Sequence, residues 1–287
     1  MAISTTFWSI KLSLYPFLIV LLSYTYITCS QHKSKLMKKA LQTITLLTGI
    51  AIIFASCHKK NDFVSTQRAG VIFHIHHYIN DTHASLGTVG VDDSGKRYQL
   101  SVARFYISQI TFHNADGTEW QSYGKYSFVN IGNEEYLVDS VPVGSYKSVS
   151  FTIGIDPTTN KTTPDQYASG NPLASQSPSM WFGDTAKGYI FMNIQGKADT
   201  SAAQNGSINI PFSYQIGTNN LARIVDMPAH SFSLIAYQST TLDIRVDYSV
   251  FLQSLNFKTQ AACTPFTDAV LATTLANREM KMFSWGL

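Results

Sequence analysis

Three of the chain's eight histidines, His74, His76 and His77, fall within four residues of one apolar run, Val71-Ile72-Phe73-His74-Ile75-His76-His77-Tyr78-Ile79. Neutral imidazole is a ligand for copper, zinc and nickel, so this cluster is the chain's strongest pointer to chemistry. A run rich in Val, Ile, Phe and Tyr reads as a strand. Along a strand, successive side chains point to opposite faces. His74 and His76 therefore share a face with Ile72 and Tyr78, while His77 joins Val71, Phe73, Ile75 and Ile79 on the other. The i, i+2 pair is able to close on a single ion. All three histidines meet one ion only if a bulge breaks the alternation.

A second feature is Met180-Trp181-Phe182, three large apolar side chains inside the otherwise polar segment 156–187. Loops longer than about 15 residues in a compact domain are usually functional or disordered. Either these residues plug the loop onto the core, which is the simpler reading, or Trp181 lines a site beside the Met180 thioether. The acidic pairs Asp92-Asp93 and Glu134-Glu135 sit among turn residues and read as solvated loop acids. Asp139 and Asp156 are more isolated, with turn hydrogen bonds as their expected role. No Gly-x-Ser-x-Gly elbow, phosphate-cradling glycine loop, His-Glu-x-x-His or dinucleotide fingerprint occurs. The expectation is a protein that is not an enzyme.

Residues 1–56 do not read as a folded domain. Two apolar runs, about 12–27 and 41–55, fall short of the roughly 20 residues a membrane-spanning helix needs. The second follows Met37-Lys38-Lys39 and ends in Phe54-Ala55-Ser56-Cys57, the pattern of a lipoprotein signal peptide with Phe54 its one loose position. Cys57 is then the lipidated first residue of the mature protein. The expected organisation is a surplus upstream extension at 1–36, with translation starting at Met37, a signal peptide at 37–56, a tether at 57–69 and one domain at 70–287. The product is expected to be exported and lipid-anchored to the bacterial cell envelope, at the outer membrane.

Composition follows the same division. The whole chain carries 21 basic and 18 acidic side chains. The leader holds five lysines and no acid, so the mature part has 16 basic against 18 acidic groups, a net charge of −2. Nothing resembles a phosphate-binding stripe, and nucleic acid is not an expected partner. Of the three cysteines, Cys29 lies in the extension, Cys57 is lipidated and Cys263 remains, so no disulfide framework is expected.

The mature chain is a succession of β-like runs separated by turn signals. They cover about 71–79, 98–112, 126–131, 146–153, 188–195, 207–214, 231–237 and 241–248. Such a pattern favours an all-β fold, an antiparallel β-sandwich with a long aromatic-bearing loop. Near the end, Val270, Leu271, Leu275, Met280 and Phe283 have helical spacing over 266–283, with Thr267 or Asp268 able to cap. A short C-terminal helix is expected there.

Taken in order, the segments resemble the MbnP-like family of exported copper-binding β proteins associated with methanobactin and copper uptake. The resemblance is carried by Phe73-His74-Ile75-His76-His77, Ala103-Arg104-Phe105-Tyr106-Ile107-Ser108, Asn114-Ala115-Asp116-Gly117, Val143-Gly144-Ser145-Tyr146 and Phe151-Thr152-Ile153-Gly154-Ile155-Asp156. Asn171-Pro172-Leu173-Ala174, Met180-Trp181, Lys187-Gly188-Tyr189-Ile190-Phe191 and Ile194-Gln195-Gly196 continue it. Each motif is weak alone; the series covers about residues 70–283. The resemblance implies a copper ligand at His77; His74 and His76 are additional candidates that the strand geometry supports independently. It also implies that Trp181 lies beside the metal, open to oxidation to kynurenine by a dihaem peroxidase partner. The chain departs from the family at Gln215, in Tyr214-Gln215-Ile216-Gly217, where relatives tend to carry histidine. Glutamine is a poor copper ligand, so either His83, His113 or His230 substitutes or this branch has lost tight binding.

The combined expectation is a lipid-anchored envelope protein that binds copper through His77 with His74 or His76, near Trp181. Copper in either oxidation state remains open. Affinity is expected to fall as pH drops through the histidine range near 6.5. The competing expectation is a surface module that binds a glycan or another envelope protein through the 156–187 loop.

Overall fold

A computed structural model describes residues 67–286. The chain divides into two units, Met1–Phe63 and Val64–Leu287. The expected extension, the signal peptide, Cys57 and most of the tether lie outside the described residues.

The histidine run forms β1 (Arg68–Ile79), which begins two residues before the expected domain boundary. Its burial alternates as its sequence does. Val71, Phe73, Ile75, His77 and Ile79 are buried, whereas Ile72, His74, His76 and Tyr78 keep partial exposure. Each large apolar side chain removed from water in this way stabilises the fold by about 1.5–3 kcal/mol. That drive fixes the register, because a one-residue slip would turn the whole apolar set outward.

β1 is the centre of a five-stranded sheet with β2 (Thr82–His83), β7 (Glu135–Pro142), β13 (Ser239–Asp247) and β15 (Phe283–Trp285). The order in space is β15-β13-β1-β2, with β7 also paired to β1. Asn80 takes φ 55° in the turn that sets His83 opposite Tyr78. Asparagine tolerates that left-handed conformation better than most residues.

The second sheet has ten strands and is built on the 18-residue β4 (Arg97–Asn114). β3 (Val89–Val91), β5 (Glu119–Gln121), β6 (Tyr126–Asn130), β8 (Gly144–Ile153) and β9 (Ile190–Ala198) pair with β4. β10 (Ile210–Gly217), β11 (Arg223–Asp226), β12 (Phe232–Leu234) and β14 (Ala262–Cys263) complete it. The inner faces of the two sheets share one core. Phe73 of β1 meets Phe151 of β8 with ring centroids 6.0 Å apart, and Phe283 packs edge-on against both Phe105 and Phe151.

The fold is predominantly β with a short C-terminal helix, as expected, but the sheets are mixed rather than wholly antiparallel. β1 pairs with β13 in parallel, and so does β10 with β14. Alternation in sequence encodes which face is buried and carries no information on strand direction. The intervening chain builds the second sheet before returning to β1, so no hairpin imposes an antiparallel partner.

Two helices follow β13. The first, α1 (Tyr248–Leu252), is capped by Asp247, which accepts from the Ser249 N–H. It begins at the last residue of the run read as strand. The second, α2 (Ala269–Glu279), is shorter than the expected 266–283 because β15 takes Phe283. Asp268 is its cap, accepting from Leu271 N–H at 2.9 Å. Leu271, Ala272, Leu275 and Ala276 form its buried face, while Val270 is exposed.

The 156–187 segment is ordered by its own contacts. Asp156 makes the expected turn bonds, accepting from the N–H groups of Thr158 and Thr159, and also takes the Tyr126 hydroxyl. Asn160 Oδ1 accepts from Tyr189 N–H at 2.7 Å. Gly188, at φ 76°, allows that approach, since a Cβ there would lie 2.5 Å from the Asn160 side chain.

Candidate metal centre

The outer face of β1 carries the chemistry. Parallel pairing sets Asp243 of β13 beside His74, and Asp243 Oδ1 lies 3.1 Å from His74 Nδ1 and 2.9 Å from His76 Nε2. The two imidazole rings are 4.2 Å apart, centroid to centroid. From the other side, the turn that leads from β6 into β7 delivers Glu134. Its backbone carbonyl accepts from Ile75 N–H at 2.7 Å, which seats the carboxylate 3.3 Å from His74 Nε2. The second Glu134 oxygen is 2.9 Å from Nε2 of His83. An alternating chain results: His76, Asp243, His74, Glu134, His83.

This chain is short of positive charge. Both nitrogens of His74 face carboxylate oxygens, which only accept hydrogen bonds. A neutral imidazole has one N–H, so the second contact calls for another proton or a metal cation. Partial burial pushes the Glu134 carboxyl up, but hydrogen bonds from His74 and His83 outweigh that effect and hold it below the usual carboxylate range.

One ligand atom from each of His74, His76 and Glu134 lies within 4.8 Å of the others. Metal–nitrogen and metal–oxygen bonds of about 2.0–2.2 Å bring ligand atoms to roughly 3.4 Å from one another in a tetrahedral site. The trio closes on an ion by side-chain adjustment of about 1 Å. All three residues are partly exposed, so an ion reaches them from solvent.

His77 is separated from the pair. It is fully buried, with Nε2 3.1 Å from the Asn133 carbonyl and Nδ1 2.8 Å from the Tyr248 hydroxyl. A carbonyl only accepts, so Nε2 carries the proton and Nδ1 accepts from Tyr248. Burial lowers the His77 pKa to about 4, although the Asn133 hydrogen bond opposes the shift. Both nitrogens are engaged inside the core, and a metal here would have to break one of these bonds. Adjacent residues of the β6–β7 turn thus serve opposite faces of β1, Asn133 holding His77 inward and Glu134 meeting His74 outward.

Trp181 and Met180 lie in a different part of the domain. Met180 is buried in a second apolar cluster with Tyr106, Leu173 and Tyr189, and Trp181 packs edge-on against Tyr189 at 4.9 Å. The two residues line a cavity of about 320 Å³, whose wall also includes Tyr106, Gln176 and Ser179 and, among the described residues, contains no histidine. The plug reading describes Met180 well. Gln215 stands on β10 opposite Asn193 of β9. Of the three substitute histidines, His83 joins the Glu134 chain, His113 bonds Glu119 and Ser150, and His230 packs on Trp285.

Glu134 and Asp243 were not legible as site residues. Glu134 reads as a loop acid in sequence, yet it is bonded to two histidines and is not a freely solvated group; Glu135, its neighbour, is the exposed one. For Asp243, a weak signal exists in the alternation of Asp243, Arg245 and Asp247 along one face of β13.

Comparison with known proteins gives two findings. A family model described as MbnP matches residues 68–265. Among solved structures, MbnP from Methylosinus trichosporium aligns with 12% sequence identity and a TM-score of 0.47, covering 69% of this chain and 81% of that one. No match was found among curated proteins.

Proposed function

The chain belongs to the MbnP family, and from that premise we propose that it is an envelope copper-binding protein that holds the ion on the outer face of β1, between His74 and His76 with Glu134. The observation that carries this reading is the convergence of those three donors within 4.8 Å of one another, beside a second carboxylate, Asp243. Two imidazoles with carboxylate oxygens are a donor set suited to copper. His77 is a structural residue in this reading, because both its nitrogens already have partners.

Trp181 is not a ligand in this reading, since no histidine among the described residues lines its cavity. A dihaem peroxidase partner would then oxidise Trp181 as an event separate from metal capture. In this reading the protein is exported and lipid-anchored at Cys57, with the site in the cell envelope. The role is binding rather than catalysis.

The test is metal analysis of full-length protein purified from an envelope fraction. The expected result is about one copper per chain, lost when His76 is replaced by alanine. Copper-free native protein that also fails to take up copper in titration would overturn the reading.

A further inference from the structure

We propose that the cavity beside Trp181 is a binding site for a neutral sugar ring, so that the domain engages a glycan independently of any metal. The observation that carries this is a buried hydroxyl in the cavity wall. Tyr106 of β4 is fully buried and lines the cavity, and its phenol oxygen has no hydrogen-bond partner among the described residues. Native interiors leave few such groups, because an unpaired buried hydroxyl forfeits the hydrogen bonds it makes in water. A ligand oxygen in the cavity supplies the partner.

The walls around that hydroxyl are aromatic and fixed. Tyr189 meets Tyr106 edge to face at 5.9 Å and Trp181 at 4.9 Å, and its own hydroxyl donates to the Leu173 carbonyl at 2.9 Å. An antiparallel bridge between Trp181 and Tyr189 secures the backbone beneath the indole. The rest of the lining is polar and includes Asp165, which is exposed, and Gln176. The Gln176 amide nitrogen donates to the Ala174 carbonyl at 3.1 Å, which leaves its Oε1 to accept.

These groups select the ligand. At about 320 Å³ the cavity is at the low end of the range for small-molecule sites, roughly 300–1,000 Å³, and takes one substituted ring. No cationic side chain lines it among the described residues, and Asp165 is its one carboxylate, so an anionic ligand finds no counter-charge. A plain aromatic ring would use the walls and leave Asp165 and Gln176 without a donor. A pyranose satisfies both: its C–H faces lie against the Trp181 and Tyr189 rings, and its hydroxyls both accept and donate, one accepting from Tyr106 and others donating to Asp165 and Gln176. A second cleft of about 530 Å³ shares Ala174, Ser175 and Gln176 with the first and adds Tyr126, Tyr136 and Asn171. It gives the next residue of an oligosaccharide a place to continue.

The experiment titrates the full-length protein with cellobiose, maltose, xylobiose and N,N′-diacetylchitobiose, and with benzamide as a flat aromatic control, by calorimetry and tryptophan fluorescence. The expected result is saturable binding of at least one disaccharide with a fluorescence change that is absent in Trp181→Ala. Tyr106→Phe should weaken that binding about tenfold, the worth of one hydrogen bond, without lowering the melting temperature, because the hydroxyl it removes has no partner within the protein. Circular dichroism of both variants verifies that the fold is kept. Binding of none of the four disaccharides would overturn the proposal. So would binding that Tyr106→Phe and Trp181→Ala leave unchanged, or a response to benzamide alone.

Discussion

His74 and His76 lie on one face of β1 with their rings 4.2 Å apart, both bonded to the same Asp243 carboxylate oxygen. Between them on the chain Ile75 points into the core, and His77 immediately after does the same. The strand therefore divides its histidines into an outward pair with carboxylate partners and an inward residue with neutral ones.

The inward residue makes the fold sensitive to acid. His77 is neutral in the native state, with a pKa of about 4 against 6.5 for the free side chain. Above pH 6.5 neither state binds a proton here, so the group adds no pH dependence. Between pH 6.5 and about 4 the unfolded chain takes up a proton that the native protein refuses, and stability falls by about 3 kcal/mol across that window. Urea denaturation at pH 7.5 and pH 4.5 measures this. His77→Gln should cost stability at pH 7.5, since it disturbs bonds to Tyr248 and Asn133, and should flatten the slope below pH 6.5. An unchanged slope in the variant would show that other groups set it.

A second buried group acts in the opposite direction. Glu279, at the end of α2, is fully buried with both carboxylate oxygens unpartnered. Burial raises its pKa well above the ordinary value, only partly offset by Arg223, so the native state keeps it protonated. As pH rises through the ordinary carboxyl range, the unfolded chain ionises first and stability falls. Glu279→Met should therefore stabilise the fold at pH 7 by about 1–3 kcal/mol. A melting temperature at pH 7 that drops on this substitution would contradict the account.

The proposed lipid anchor makes its own prediction. Cys57→Ala should move the protein from the membrane fraction to the soluble one after cell breakage. Mass spectrometry of the native protein should show a lipidated Cys57 as the first residue. An intact amino terminus at Met1 would rule out the proposed signal peptide.

Trp181 tests whether the two chemistries are separate. Trp181→Phe keeps an aromatic ring against Tyr189 and should leave copper content unchanged, because no histidine among the described residues lines its cavity. Loss of copper in that variant, with the fold retained by circular dichroism, would tie the tryptophan to the metal.

Much of this arrangement was legible in the sequence. The alternation of Val71, Phe73, Ile75 and Ile79 assigns His77 to the core and His74 with His76 to the outer face, since burial of apolar side chains dictates strand register. Asp268 as the cap of α2 follows equally from local chemistry. The carboxylates did not emerge, because their link to His74 is purely tertiary. Asp243 is 169 positions away and arrives through a parallel pairing that no local pattern encodes, and Glu134 is 60 positions away in a turn between the two sheets whose sequence reads as solvated. Family resemblance favoured His77 as the ligand, and only the hydrogen bonds to Asn133 and Tyr248 show that its nitrogens are occupied.

The most direct test of the central claim is copper titration of two variants side by side, His74→Ala/His76→Ala and His77→Gln, expressed per folded molecule. The account predicts that the double variant loses stoichiometric binding while His77→Gln retains it despite lower stability. Copper retained by the double variant and lost from His77→Gln would place the metal on the inner face and contradict the assignment.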